Sequence, residues 1–125
     1  MSEQIIRNAL VTPDGTMIES RHRHDYVTHT DKNGKEYMVD GGPAYLRRSC
    51  NGDEVDATVY MSDDHTDKRV AFMWTSYGKE GRGPMLTRPL AELSDNHIEA
   101  ILETQTQIRG TYVETLMHDE LEYRR

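Results

Sequence analysis

"DYVTHT" (25–30), "DKNG" (31–34) and "KEYMVD" (35–40) are contiguous, and the fold turns on how they are read. The flanking runs carry valines, threonines and tyrosines, residues that suit a pleated surface. Between them Asn33-Gly34 readily takes the positive φ angles of a tight turn. The stretch therefore predicts an antiparallel hairpin. Upstream, 5–12 reads as a first strand. "TPDGT" (12–16) is a turn, with Pro13 fixing φ and Gly15 supplying positive φ, and 17–20 begins a second strand.

Downstream, "GGPAYLRRS" (41–49) leaves the hairpin through two glycines, and Pro43 suits the first turn of a short helix. "NGD" (51–53) is a further turn. Val55, Ala57, Val59 and Met61 alternate with Asp56, Thr58 and Tyr60, the period of a half-buried strand. "SDDHTDK" (62–68) turns the chain back. Val70, Phe72 and Trp74 then alternate with Ala71, Met73 and Thr75, and apolar residues on both faces predict a central strand. "GKEGRGP" (78–84) reads as an open surface loop. Lys79 and Arg82 could meet a phosphate there, but the P-loop pattern is absent.

Helical signals take over near residue 90. Ser94 is a good N-cap and Asp95 favours the dipole. Ile98, Ile101, Leu102 and Ile108 follow at helical spacing, and Gly110 ends the run. Thr111 and Glu114 form a capping box for a second helix with an apolar stripe of Val113, Leu116, Met117 and Leu121. The expected fold is α+β: a small antiparallel sheet with N-terminal hairpins, then two C-terminal amphipathic helices. One domain is expected over 1–125, mainly β over 1–89 and a helical hairpin over 90–125.

Only 35% of the 125 residues are apolar, so the core is expected to be a thin layer between elements. The net charge of −7 disfavours a nucleic-acid backbone as partner, which needs a basic face. Cys50 is the only cysteine, which excludes an internal disulfide and a cysteine zinc cage; a plain thiol is expected. No apolar run approaches a membrane span and "MSEQIIRNAL" (1–10) lacks a signal-peptide core, so a cytosolic chain is expected.

The chemistry-bearing segment is "IESRHRHDYVTHT" (18–30), with three histidines and two arginines. In an extended strand His22 and His24 would share one face, and Arg21, Arg23 and Asp25 the other. Three readings stay open. One is a hydrated strand face. Another is a ligand site. The third is a metal site, since His-x-His is a real ligand spacing that would need two more donors from His29, Asp40, His65 and Asp67. A second cluster is "VDGGPAYLRRS" (39–49). Asp40, Gly41 and Gly42 could form a backbone anion nest, with Tyr45 close by and Arg47 and Arg48 as forked donors. Glycines that serve only the turn are the alternative. No nucleophile, triad order or paired catalytic carboxylate stands out, so no catalytic residue, metal or cofactor is assigned.

"IESRHRHDY" followed by "VDGGPAYLRR" resembles an uncharacterised family of small phage and prophage proteins with I-E-S-x-H-x-H-D and V-D-G-G-x-x-Y-x-R-R blocks. "WTSYGK" (74–79) and the helical tail resemble longer phage relatives. In many members the block sits in a zinc ribbon built from two Cys pairs. Those pairs would fall around 11–14 and 28–35, where this chain has no cysteine. The resemblance implies an early or accessory phage gene acting in the host cytoplasm, in host takeover or anti-defence. It implies no reaction.

The expectation that follows is a binding protein, more a sequestering module than an enzyme. Its ligand would be a small anion such as a nucleotide signal. Arg21, His22, Arg23, His24, Asp25, Asp40, Gly41, Gly42, Tyr45, Arg47 and Arg48 would form its site, on neighbouring strands. Two alternatives accompany it: an acidic protein that docks on and inhibits a host protein, and a metal-dependent hydrolase using the His-x-His-Asp segment. A homodimer is expected, the commonest assembly for such a chain.

Overall fold

The structure, a computed structural model, describes residues 3–77 and 83–125. It is α+β, with antiparallel sheets, N-terminal strand hairpins and helices that include two near the C-terminus. The chain divides into two compact units, residues 1–63 and 64–125. The compositional break near residue 90 falls inside the second.

The first unit is built on β1 (Ile5–Val11), which pairs antiparallel with β2 (Met17–Ser20) through the 12–16 turn. β3 (Val27–Thr30) and β4 (Glu36–Asp40) form the hairpin predicted around Asn33-Gly34, with His29 opposite Tyr37 and Gly34 at φ 83°. The Asp31 carboxylate accepts the Asn33 and Lys35 N–H groups and fixes the turn. β5 (Arg47–Arg48) adds to β4 with Arg47 opposite Asp40. Leu10, Ile18, Tyr37 and Val39 pack as the buried cluster, with Val27 against it. Leu10 is fully buried, so Leu10→Ala would cost about 2–5 kcal/mol.

The turns of the two hairpins are tied by one residue. Asp14 accepts from the Thr12 hydroxyl, from His29 Nε2 at 3.1 Å and from the Lys32 N–H. The Thr12 and His29 bonds hold its carboxyl well below the usual range. Tyr37 is buried and donates to Asp53; burial first, then that carboxylate, push its phenol up to about 12.

Several elements differ from the sequence reading. The alternating run 55–61 is not one strand but two short ones, β6 (Val55–Asp56) and β7 (Val59–Tyr60). Both pair with β1, whose register shifts between Ile5 and Arg7. Asp56 Oδ1 accepts the Thr58 N–H and turns the backbone between them. Pro43 begins no helix; 42–44 is a turn closed by Gly41 C=O, which accepts from Ala44 and Tyr45.

In the second unit, 65–71 is a helix, α1 (His65–Ala71), where a turn and a strand start were expected. β8 (Met73–Ser76) pairs only with β9 (Leu86–Pro89) among the described residues, so the Trp74 strand is not central. The loop expected at 78–84 lies outside the described residues over 78–82. α2 (Asp95–Thr104) starts as expected, with Ser94 Oγ accepting the His97 N–H. It stops at Thr104 rather than running on to Ile108; 106–108 is a short 3-10 turn, and Gly110 follows at φ 76°. α3 (Tyr112–Tyr123) is capped by Thr111, while Glu114 reaches back to the Gly110 N–H.

Glu120 lies on the buried face of α3 among Leu116 and Met117 and is wholly buried. Arg69 of α1 grips it with two N–H groups, Nε at 2.9 Å and Nη2 at 2.7 Å. His65 Nε2 lies at 2.8 Å and Arg124 Nε at 2.7 Å. Burial opposes the charge, but the Arg69, Arg124 and His65 bonds outweigh it and hold the carboxyl down at about 2. Arg69 also lies 4.5 Å from the centre of the Tyr123 ring. This cluster clamps α1 to α3.

Candidate functional site

The histidine segment is a turn, not a strand. The Asp25 N–H bonds His22 C=O at 3.0 Å, and His24 sits at φ 66°. That left-handed conformation is uncommon outside glycine, though histidine is among the residues that tolerate it. Asp25 Oδ2 accepts the Arg21 N–H at 2.8 Å and braces the turn. The alternation that would have put His22 and His24 on one strand face, and with it the geometry of a His-x-His metal pair, is therefore absent. Among the described residues no group of three or more His, Cys, Asp or Glu could hold a metal.

The Gly-Gly exit is pressed against this turn. A Cβ on Gly42 would stand 2.4–2.6 Å from the His22 backbone, and one on Gly41 would stand 2.0 Å from Tyr45 C=O. Both glycines also have positive φ, 104° at Gly41 and 51° at Gly42. They are there for close approach and backbone conformation together. The anion nest needs correcting at Gly42, whose N–H is spent on Ser20 Oγ at 2.8 Å. Ser20 in turn donates to Asp25 C=O at 2.6 Å, so one hydroxyl joins both segments.

Beneath them, buried Asn8 of β1 donates through Nδ2 to the carbonyls of Asp40, Gly42 and Tyr45, at 2.8, 3.2 and 3.2 Å. Three carbonyls on one amide fix the loop as a unit. Asn8 and Ser20 escaped the sequence reading, because an Asn in a strand and a Ser at a strand end carry no motif. The one available signal was a second polar residue, beside Arg7, in the middle of β1.

On this base Tyr45 stands between the two segments. Its hydroxyl donates to Asp40 Oδ2 at 3.2 Å and lies 3.0 Å from His24 Nδ1. A phenol has one proton, so with that proton on Asp40 the His24 Nδ1 must bring its own. On a neutral ring that leaves Nε2 as the acceptor. Burial raises the Tyr45 phenol pKa, Asp40 raises it further, and the charges of Arg47 and Arg23 offset part of the rise. Arg47 Nη1 lies 3.7 Å from Asp40 Oδ2 with its side chain 70% exposed.

His24, Tyr45, Asp40 and Arg47 thus converge, with Arg23 near enough for its charge to act on the Tyr45 phenol. Arg48 does not: neighbours on a strand point oppositely, and its guanidinium bonds Asp56 at 2.6 Å. Arg21 and His22 lie on the exposed border, beside Glu19 at 4.0 Å and Asp25 at 3.9 Å respectively. The result is an exposed patch of donors around a buried carboxylate. Its exposed guanidinium donors could meet an acceptor-rich ligand. No protein-family model, curated protein or solved structure matches this chain.

Proposed function

We propose that the chain is a phage accessory protein of the host cytoplasm that binds and sequesters a small phosphate-bearing anion of the nucleotide class. The observation that carries this reading is the 3.0 Å approach of His24 to Tyr45, which links two arginine-bearing segments at one point. Arg23 and Arg47 supply forked donors suited to phosphate oxygens. His24 adds an N–H donor when protonated, and the faces of His24 and Tyr45 offer stacking surface. The family resemblance of the same two blocks supports a phage origin. Buried Asp40 limits the positive charge, which suits one compact ligand better than a polyanion.

A thermal-shift and calorimetric screen against pyrophosphate, mononucleotides and cyclic dinucleotides tests this. A ligand bound only by the folded chain raises the midpoint in proportion to ln(1 + [L]/Kd). No shift with any phosphate-bearing compound contradicts the proposal.

A homodimer belongs to the same proposal. Met17, Val11 and Val55 stand in one cross-strand row, and Met17 and Val55 are exposed. Among the described residues no helix is long and apolar enough to cross a membrane. Sedimentation of the native chain and of Val55→Lys reads the dimer directly: a monomeric native chain ends it.

A further inference from the structure

The second unit holds a groove that the anion patch does not involve. It lies between the β8–β9 hairpin and α2, with a volume of about 860 Å³. Cross-strand register puts Trp74 beside Arg88 and Ser76 beside Leu86, so these share one face of the hairpin. That face lines the groove. Opposite it stand His97, Ala100, Ile101 and Thr104 of α2, whose spacing of three and four residues is one helical face.

The lining sets the chemistry. Trp74, Leu86, Leu93, Ala100 and Ile101 make the walls apolar. Among the described lining residues Arg88 is the only arginine or lysine, and none is an aspartate or glutamate. Among the described residues the Arg88 guanidinium has no ion pair or hydrogen bond within the chain. A volume of this size matches a small-molecule site, roughly 300–1,000 Å³. An apolar wall with one unpaired guanidinium at its hairpin side is complementary to an apolar body bearing one anionic head.

We infer that this groove binds a small apolar carboxylate, its tail against Trp74, Leu86 and Ile101 and its carboxylate forked onto Arg88. A bidentate guanidinium–carboxylate pair fits a planar acid head, and partial desolvation in the groove strengthens it. On the α2 face Ala100 leaves room where a larger side chain would fill the space.

Trp74 is the chain's only tryptophan, so its emission reports occupancy without a label. Octanoate is the probe and 1-octanol its neutral counterpart. The expected result is a saturable change in Trp74 emission with octanoate and binding at least about tenfold weaker for 1-octanol, a difference of one charged hydrogen-bonded contact. Arg88→Gln should remove that preference, leaving the two probes alike. Ala100→Phe should abolish the response by filling the groove. Both positions are exposed, and far-UV circular dichroism of each variant checks that it folds. The absence of a saturable response in the native chain overturns the inference, as does equal binding of octanoate and 1-octanol. Unchanged octanoate binding by folded Arg88→Gln overturns it too.

Discussion

His24 Nδ1 lies 3.0 Å from the hydroxyl of Tyr45, 21 residues further along the chain. That contact exists because Gly42 lets the 41–45 loop sit on the backbone of His22, and because Asn8 and Ser20 hold the loop there. Tyr45→Phe keeps the ring and removes the link between His24 and Asp40. It should weaken pyrophosphate binding several-fold and cost about 1 kcal/mol of stability, the net worth of one hydrogen bond. Calorimetry and urea denaturation read the two effects separately.

Gly42→Ala should destabilise the first unit far more than Gly15→Ala. Both glycines have positive φ, but a Cβ at Gly15 meets nothing within 4 Å while one at Gly42 collides with the His22 backbone. Conformational strain alone costs roughly 1–3 kcal/mol, and Gly42→Ala must add the displacement of backbone to it. Urea midpoints of the two variants decide this; equal losses would mean that the close approach contributes nothing.

Glu120→Ala should be among the most damaging single changes in the second unit, costing roughly 3–5 kcal/mol, because it leaves Arg69 and Arg124 facing a buried gap. The same residue sets acid sensitivity. Its carboxyl sits at about 2 in the folded chain against an ordinary 4.5, so the unfolded chain takes up the proton first. This contribution is complete above about 4.5 and is lost as pH falls towards about 2. Glu120→Gln should therefore flatten the fall of the urea midpoint over that interval. A slope identical to the native chain would rule out this origin.

Thr111→Ala should lower stability by about 1 kcal/mol through loss of the bond from the Val113 N–H. An unchanged denaturation midpoint would show that the cap adds nothing to α3.

What could be read from residues alone was local. The Asn33-Gly34 hairpin and the caps at Ser94 and Thr111 follow from rules that span four residues, and the structure has them. α1 was hidden because its seven residues are mostly polar and few are buried; it is held by His65 and Arg69 on Glu120, 55 and 51 residues away. A clue lay in Glu120 falling on the apolar stripe of α3, four residues before Arg124. At the candidate site, the residue types of both blocks were legible but their geometry was not. "RHRHD" lacks glycine, so a turn with His24 at positive φ looked like a strand. The opposite directions of Arg47 and Arg48 required the short β5 pairing with β4.

The most direct test is a pyrophosphate titration of isotope-labelled protein, following side-chain and backbone resonances across both units. Saturable shifts are predicted at Arg23, His24, Tyr45 and Arg47, with Arg48 unmoved because its guanidinium is engaged by Asp56. No saturable shift at the first four, or a response at Arg48 as large as at Arg47, would contradict the account.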